Sequence, residues 1–165
     1  MKEHFETFAH YNRWANARLL DVAAGLDAAQ LAENRGAFFG SVIGTFNHIL
    51  VGDRIWLRRI TGSGEAPAAL DEILYPEMKV FRPAREIEDR RLVNTVSALA
   101  ADEFGRRLRY RNLLGDEFEQ PLTTVLAHLF NHQTHHRGQI HTLLTQFGVS
   151  VPPLDLIYFI RDRQR

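Results

Sequence analysis

The chain has no cysteine, no net charge and no long hydrophobic run. Without cysteine there can be no thiolate metal site, no redox dithiol and no cysteine nucleophile. Any bound metal must therefore be held by histidine, aspartate, glutamate or water.

The charges are balanced, with 20 basic and 20 acidic residues. A balanced chain has no overall field that would draw it onto nucleic acid or an anionic membrane. No segment approaches the roughly 20 consecutive apolar residues of a membrane span, and the N-terminal residues lack the apolar core of a secretion signal. We therefore expect a soluble, cytoplasmic protein that binds neither nucleic acid nor membranes.

The length of 165 residues fits one domain, residues 1–165. Such a chain is long enough to bury a core without disulfides or a structural metal, so a bound metal would serve function. Apolar residues recur at helical spacing in four long segments. These segments predict helices over about residues 2–24, 41–60, 84–104 and 122–147.

Between the third and fourth predicted helices the apolar period changes to two. Residues 106–111 alternate polar and apolar side chains, Gly115 follows in a turn, and residues 117–120 return, which predicts a β-hairpin. Residues 155–161 predict a short terminal helix capped by Asp155. The predicted fold is all-α, an antiparallel four-helix bundle with a small hairpin between the third and fourth helices and a short C-terminal helix.

The fourth predicted helix is rich in histidine. On a helical wheel with about 100° per residue, His132 and His136 fall beside or inside the apolar arc. His128, His135 and His141 fall outside it. Burying two imidazoles one turn apart is costly unless each is hydrogen-bonded or binds metal. The alternatives are hydrogen-bonded core histidines or a chance surface cluster.

His48 in the second predicted helix is the candidate third ligand. Gly44, Thr45 and Gly52 surround it, and this lack of bulk leaves room for an ion or, alternatively, allows close helix packing. Three neutral imidazoles would hold a divalent metal and leave one coordination position free, as in catalytic sites. Zinc and nickel are the favoured ions, with iron, manganese and cobalt as alternatives.

Other polar residues near these segments are weaker candidates. Asp53 and Glu6 could hydrogen-bond a ligand or move a proton, although most helix carboxylates are simply solvated. Gln133, Arg137 and Gln139 could orient the site or the ligand. Arg137 and Gln139 lie outside the apolar arc, so helix-to-helix hydrogen bonds or surface roles are equally expected for them. No residue is identified as a general acid or base.

Four motif classes are absent from the sequence. Gln133 stands where a zincin has its glutamate base, and glutamine cannot take a proton. No glutamate is followed three residues later by histidine, which excludes the di-iron carboxylate pattern. Nucleotide-binding loops and the serine nucleophile elbow are missing too.

Four stretches along nearly the whole chain resemble the DinB family of DinB/YfiT-like metalloenzymes. They are residues 11–17 (YNRWANA), 45–56 (TFNHILVGDRIW), 131–139 (NHQTHHRGQ) and 152–160 (PPLDLIYFI). The resemblance implies an up-down-down-up four-helix bundle, often a homodimer. It also implies a divalent metal bound by one histidine of the second helix and both histidines of the His-x-x-x-His pair. In this sequence those residues are His48, His132 and His136.

The wider fold resembled here includes thiol-dependent transferases and isomerases, and some members are described as hydrolases. We therefore expect a metal-dependent transferase or isomerase that acts on a small molecule with a low-molecular-weight thiol. A thiol at the free position would lose its proton and attack an electrophile. Water there would instead become a hydroxide for hydrolysis. A metal-dependent hydrolase and a non-catalytic metal- or ligand-binding bundle are the alternatives.

Overall fold

Six α-helices and one two-stranded sheet make up residues 1–164, the part of the chain that this computed structural model describes. The helices are α1 (Lys2–Ala23), α2 (Ala28–Ala32), α3 (Val42–Thr61), α4 (Met78–Ala98), α5 (Leu122–Gln146) and α6 (Leu156–Asp162). The strands β1 (Arg107–Arg111) and β2 (Glu117–Pro121) lie between α4 and α5, after a single 3₁₀ turn at Glu103–Gly105. Within residues 1–164, no helix combines the length and apolar character needed to cross a bilayer.

The two helices that carry the candidate ligands begin and end close to the predicted residues. At the start of α3, the Ser41 side chain accepts a hydrogen bond from the backbone N–H of Gly44 at 3.1 Å. At its end, Gly62 has φ 75°, and its N–H donates to the carbonyl of Arg58. Helix α5 ends one residue before the predicted limit, and Gly148 follows with φ 74°.

The predicted limits of the third long helix, 84–104, are wrong, because α4 begins and ends six residues earlier. Pro83 lies in its second turn, where the missing N–H deprives only the carbonyl of Lys79 of a helical partner. Lys79 is exposed, so water can satisfy that carbonyl. At the other end, the Lys2 ammonium donates to the carbonyl of Ser97 at 2.8 Å and replaces a lost helical bond.

The hairpin prediction is confirmed. Strands β1 and β2 pair antiparallel, with Arg109 opposite Glu119. The terminal helix is also confirmed within one residue at each end, although the Asp155 side chain makes no capping hydrogen bond. The short helix α2 was not predicted. It begins with a reciprocal capping box in which Gln30 N–H donates to Asp27 and Asp27 N–H donates to Gln30.

The four long helices contact one another, with α1 against α4 and α5, and α3 against the same two helices. Their inward faces form two separate apolar clusters. One includes Phe5, Leu57, Leu92, Leu126 and Leu129. The other includes Leu19, Leu50, Phe81, Ile140 and Leu144. The up-down-down-up order and the homodimer stay predictions.

A buried polar layer separates the two apolar clusters along every long helix. Its members, each at most 3% exposed, are Asn12, Asn16, Asp53, Arg85, Asp89, Gln133 and Arg137. Two acidic and two basic side chains balance one another there. Arg85 lies 2.7 Å from Asp53 and 3.1 Å from Asp89. Burial raises the pKa of Asp89 to about 6, although the Arg85 charge opposes that shift.

Other hydrogen bonds extend this layer to all four helices. Asn16 of α1 donates to Asp89 of α4 at 2.9 Å. Gln133 of α5 donates to Asp53 of α3, and Arg137 of α5 donates to Asn12 of α1. Because each buried group needs a partner on another helix, the layer specifies how the four helices align.

We predict that Arg85→Ala destabilises the protein by about 3–5 kcal/mol, because it leaves two buried carboxylates without their cation. Arg90 lies on the exposed side of the same helix, so Arg90→Ala is the matched control and should change stability by less than about 0.5 kcal/mol. Urea unfolding of both variants measures the difference. Equal effects would contradict a stabilising role for the Arg85 ion pairs.

Candidate metal centre

Three histidines from α3 and α5 converge in the structure. The candidate ligand nitrogens of His48, His132 and His136 all lie within 4.8 Å of one another. The ring centroids of His48 and His136 are 4.4 Å apart, as are those of His132 and His136, and those of His48 and His132 are 4.8 Å apart. The structure thus brings together the three residues that the sequence singled out.

Hydrogen bonds set the tautomers of two of these histidines. The Nδ1 atom of His48 lies 2.8 Å from the backbone carbonyl oxygen of Leu70. The Nδ1 atom of His136 lies 2.8 Å from the Oε1 atom of Gln139. Both oxygens can only accept, so each Nδ1 carries the proton and each Nε2 presents a free lone pair. This arrangement is typical of histidine ligands, whose second nitrogen is held by an outer partner.

The surroundings favour the neutral form of all three imidazoles. Burial is the main cause that lowers the pKa of His48 and of His136. Burial, followed by the neighbouring imidazoles, lowers the pKa of His132 to about 3. Neutral imidazole is the form that binds a metal, so protons compete little for these nitrogens near pH 7.

The convergence of the Nε2 atoms fits a divalent cation. The Nε2 atoms of His48 and His132 are 2.9 Å apart. The Leu70 carbonyl holds the proton of neutral His48 on Nδ1, so its Nε2 lone pair faces the Nε2 of His132. Either a proton on His132 or a cation must lie between them. Three imidazole nitrogens from two helices are a donor set suited to zinc, nickel, copper or iron.

Glycine at position 52 allows the His132 ring to approach α3. A Cβ atom at Gly52 would lie 3.0 Å from Cε1 of His132, closer than ordinary packing permits. Gly44 has a different role, because a Cβ there would collide with the backbone carbonyl of Phe39. The sequence suggested that these two glycines leave room around His48, but the structure gives them other roles. One accommodates a candidate ligand and the other the loop before α3.

Phe39 covers one side of the site and had no chemical signal in the sequence. Its ring stacks on that of His48 with centroids 3.7 Å apart and an interplanar angle of 15°. It meets His136 edge-on at 5.5 Å. The loop before α3 thus restricts the access of water to two candidate ligands.

The remaining histidines of α5 do not join the cluster. His135 is exposed, and its Nε2 lies 3.4 Å from the amide nitrogen of Gln139. His128 packs against Trp56, with ring centroids 5.2 Å apart. His141 lines a different groove, beside Leu154.

The candidate proton-transfer carboxylates are not beside the histidines. Asp53 is buried and contacts Arg85 and Gln133 in the polar layer. Glu6 lies on α1 and forms no ion pair within the described residues 1–164. Among the hydrogen bonds of residues 1–164, Gln139 bonds to the candidate ligand His136, whereas Gln133 and Arg137 bond to other residues.

The whole chain is similar to known proteins of one family. The model of the DinB family matches residues 1–164. Protein DinB of Bacillus subtilis (strain 168) is 24% identical over 152 residues, which cover 88% of this chain and 87% of that protein. The crystal structure of a DinB-like protein from Bacillus cereus ATCC 10987 superimposes with a TM-score of 0.69 and 22% identity. That match covers 92% of this chain and 95% of the other, and it shows a shared fold.

We predict that Gly52→Ala weakens zinc binding at least about tenfold, because the added methyl group displaces the His132 ring. Gly138→Ala is the matched control. It lies on α5 with no atom near its added methyl group, and it brings the same gain in helix propensity of about 1 kcal/mol. Competition with a chromophoric chelator measures both affinities. Equal zinc affinity in the two variants would show that the close approach at position 52 is irrelevant to the site.

Proposed function

We propose that this chain, which belongs to the DinB family, is a divalent-metal-dependent enzyme whose ion is held by His48, His132 and His136. The observation that carries the proposal is the convergence of three neutral imidazoles, two of them with Nδ1 held by an acceptor. Such a site supplies three protein ligands and leaves a position for a reactant, as in catalytic rather than structural sites. Zinc or nickel are the ions that we favour.

Each part of the site has a role in this proposal. The Leu70 carbonyl and the Gln139 side chain hold the rings of His48 and His136 so that their Nε2 atoms point inward. The Phe39 ring excludes water from one side. When bound, the ion supplies Lewis acidity, which lowers the pKa of a thiol or a water molecule.

We infer that the reaction is a thiol-dependent transfer or isomerisation of a small molecule. The chain has no cysteine, so a sulfur nucleophile must come from a separate low-molecular-weight thiol. Within residues 1–164, no carboxylate forms a hydrogen bond or ion pair with the three histidines. A thiol that ionises readily needs no protein base, whereas activation of water is commonly assisted by one.

The proposed transfer is a nucleophilic substitution. The thiol loses its proton to solvent, its sulfur forms a bond to an electrophilic carbon of the substrate, and the leaving group departs with its electron pair. In isomerisation, the thiol adds to the substrate and is eliminated after rearrangement. The protein contributes position and orientation of the two reactants.

The four long helices are proposed to form an up-down-down-up bundle around this site. Their pairwise contacts and the polar layer that crosses all four support that arrangement. An experimental structure of the protein would test it directly.

Metal content tests the ligands. We expect wild type and His135→Ala, a change at an exposed histidine of the same helix, to retain about one ion per chain after dialysis. His48→Ala, His132→Ala and His136→Ala should lose it, because each removes one of three donors. Elemental analysis of protein purified without a metal column measures the content. Equal content in all five proteins would refute the site.

Thiol consumption tests the reaction. Metal-loaded protein is incubated with a panel of low-molecular-weight thiols and a panel of electrophiles that includes an activated aryl chloride, and the loss of free thiol is followed. We expect turnover that needs both metal and thiol and that falls at least about 100-fold in His132→Ala. Turnover without thiol would indicate hydrolysis instead. Metal retention with no turnover on any electrophile would indicate a binding protein.

A further inference from the structure

A cavity with a basic lining lies between the C-terminal half of α3 and the β-hairpin. Its volume is about 290 Å³, close to the lower end of the range for ligand pockets. Apolar side chains of Ile55, Pro67 and Leu113 form part of its wall. The lining also includes four arginines, Arg58, Arg59, Arg109 and Arg111, and no acidic residue.

Three of the four arginines already have protein acceptors. Arg58 donates to the carbonyl of Gly64 at 2.7 Å. Arg109 and Arg111 of β1 form ion pairs with glutamates of β2. These bonds use the guanidinium donors to hold the hairpin and the loop that follows α3.

Arg59 differs from these three. Its guanidinium carbon lies 4.5 Å from the centroid of the Trp56 ring and 4.7 Å from that of Tyr110, so two aromatic rings hold the group in place. Within residues 1–164, Arg59 forms no hydrogen bond and no ion pair. Aromatic contacts leave its N–H donors without acceptors, and a guanidinium has five of them. The side chain is half-buried, and burial lowers the pKa of Arg59.

Three elements connect the cavity with the proposed metal centre: helix α3, helix α5 and the loop after α3. His48, Gly52, Ile55 and Arg59 are spaced so that they share one face of α3. On α5, the His128 ring lies between His132 and Trp56, the residue that Arg59 stacks on. Its ring centroid is 5.2 Å from that of Trp56 and 5.8 Å from that of His132.

The loop after α3 provides the third connection. It lines the cavity through Pro67 and, three residues later, accepts the hydrogen bond from His48 through the Leu70 carbonyl. Eleven residues separate His48 from Arg59, about 16 Å along the helix axis. A small molecule of extended shape could therefore reach both.

We propose that Arg59 binds an anionic group, a carboxylate or a phosphate, of the molecule that reacts at the metal centre. This inference rests on the proposed function and narrows its substrate class to anionic thiols or anionic electrophiles. A rigid guanidinium fork with free donors is suited to either anion, and the apolar wall accommodates the part of the molecule beside it.

Direct binding of small anions tests the subsite. The probes are phenyl phosphate, 3-phenylpropanoate and the neutral 3-phenylpropanamide, each titrated calorimetrically into the metal-loaded protein at low salt. We expect at least one anion to bind about tenfold more tightly than the amide, and the preferred anion to identify the group. Equal binding of amide and anions, or no binding of either anion, would overturn the proposal.

Variants assign the effect to Arg59. Arg59→Gln should weaken binding of the preferred anion about tenfold, and Arg59→Lys should retain part of the affinity. Arg90→Gln removes the same charge from an exposed position on α4 and should bind as wild type. Circular dichroism and thermal unfolding check that each variant folds. Similar losses in Arg59→Gln and Arg90→Gln would mean that only net charge matters, against the proposal.

The same titrations separate this subsite from the metal centre. His132→Ala should lose metal yet keep the anion affinity, because the cavity does not include His132. In the wild-type protein, anion binding without metal binding would overturn the proposed metal ligands and leave the anion subsite standing. In the wild-type protein, metal binding without anion binding would overturn the anion subsite and leave the proposed metal ligands standing.

Discussion

The buried ion pairs of Arg85 with Asp53 and Asp89 are the constraint on which the rest of the structure depends. They lie at the level where the two apolar clusters end, and side chains from all four long helices complete them. Apolar contacts tolerate small shifts of one helix along another, whereas buried charges must find their partners. The polar layer therefore sets the register in which α3 and α5 meet.

That register also positions the histidines. On two successive turns of α5, His132 and His136 face the candidate metal site. The residue that follows each of them, Gln133 or Arg137, belongs to the buried polar layer. Gln133 bonds to Asp53, and Asp53 belongs to the same helix as His48. A different rotation of α5 would turn its imidazoles toward the core and remove Gln133 from Asp53. The candidate metal centre and the interior network are thus consequences of one helix orientation.

Two loops complete the candidate metal site, whose histidines come from helices α3 and α5. The Leu70 carbonyl fixes one tautomer, and Phe39 closes one side of the site. The loop that carries Leu70 also borders the basic cavity beside Arg59. The candidate metal ligand His48 and the proposed anion-binding residue Arg59 therefore lie on one face of α3, and the loop after α3 contacts both places. In the proposed function, these elements together bind and orient a thiol that the chain, which has no cysteine, does not itself supply.

The sequence by itself determined the helical class, the hairpin, most helix limits and the choice of His132 and His136, because periodicity and wheel position are local properties. The sequence did not predict that α4 continues through Pro83. A helix tolerates that proline where the carbonyl four residues earlier, that of Lys79, is open to water, and this exposure is a property of the folded chain. Only the tertiary structure decided that Gly52 makes room for the His132 ring, that Asp53 pairs with Arg85, and that Arg59 finds no acceptor among residues 1–164. Each of these depends on residues distant in sequence, and side-chain partners between helices have no periodic signature in one chain.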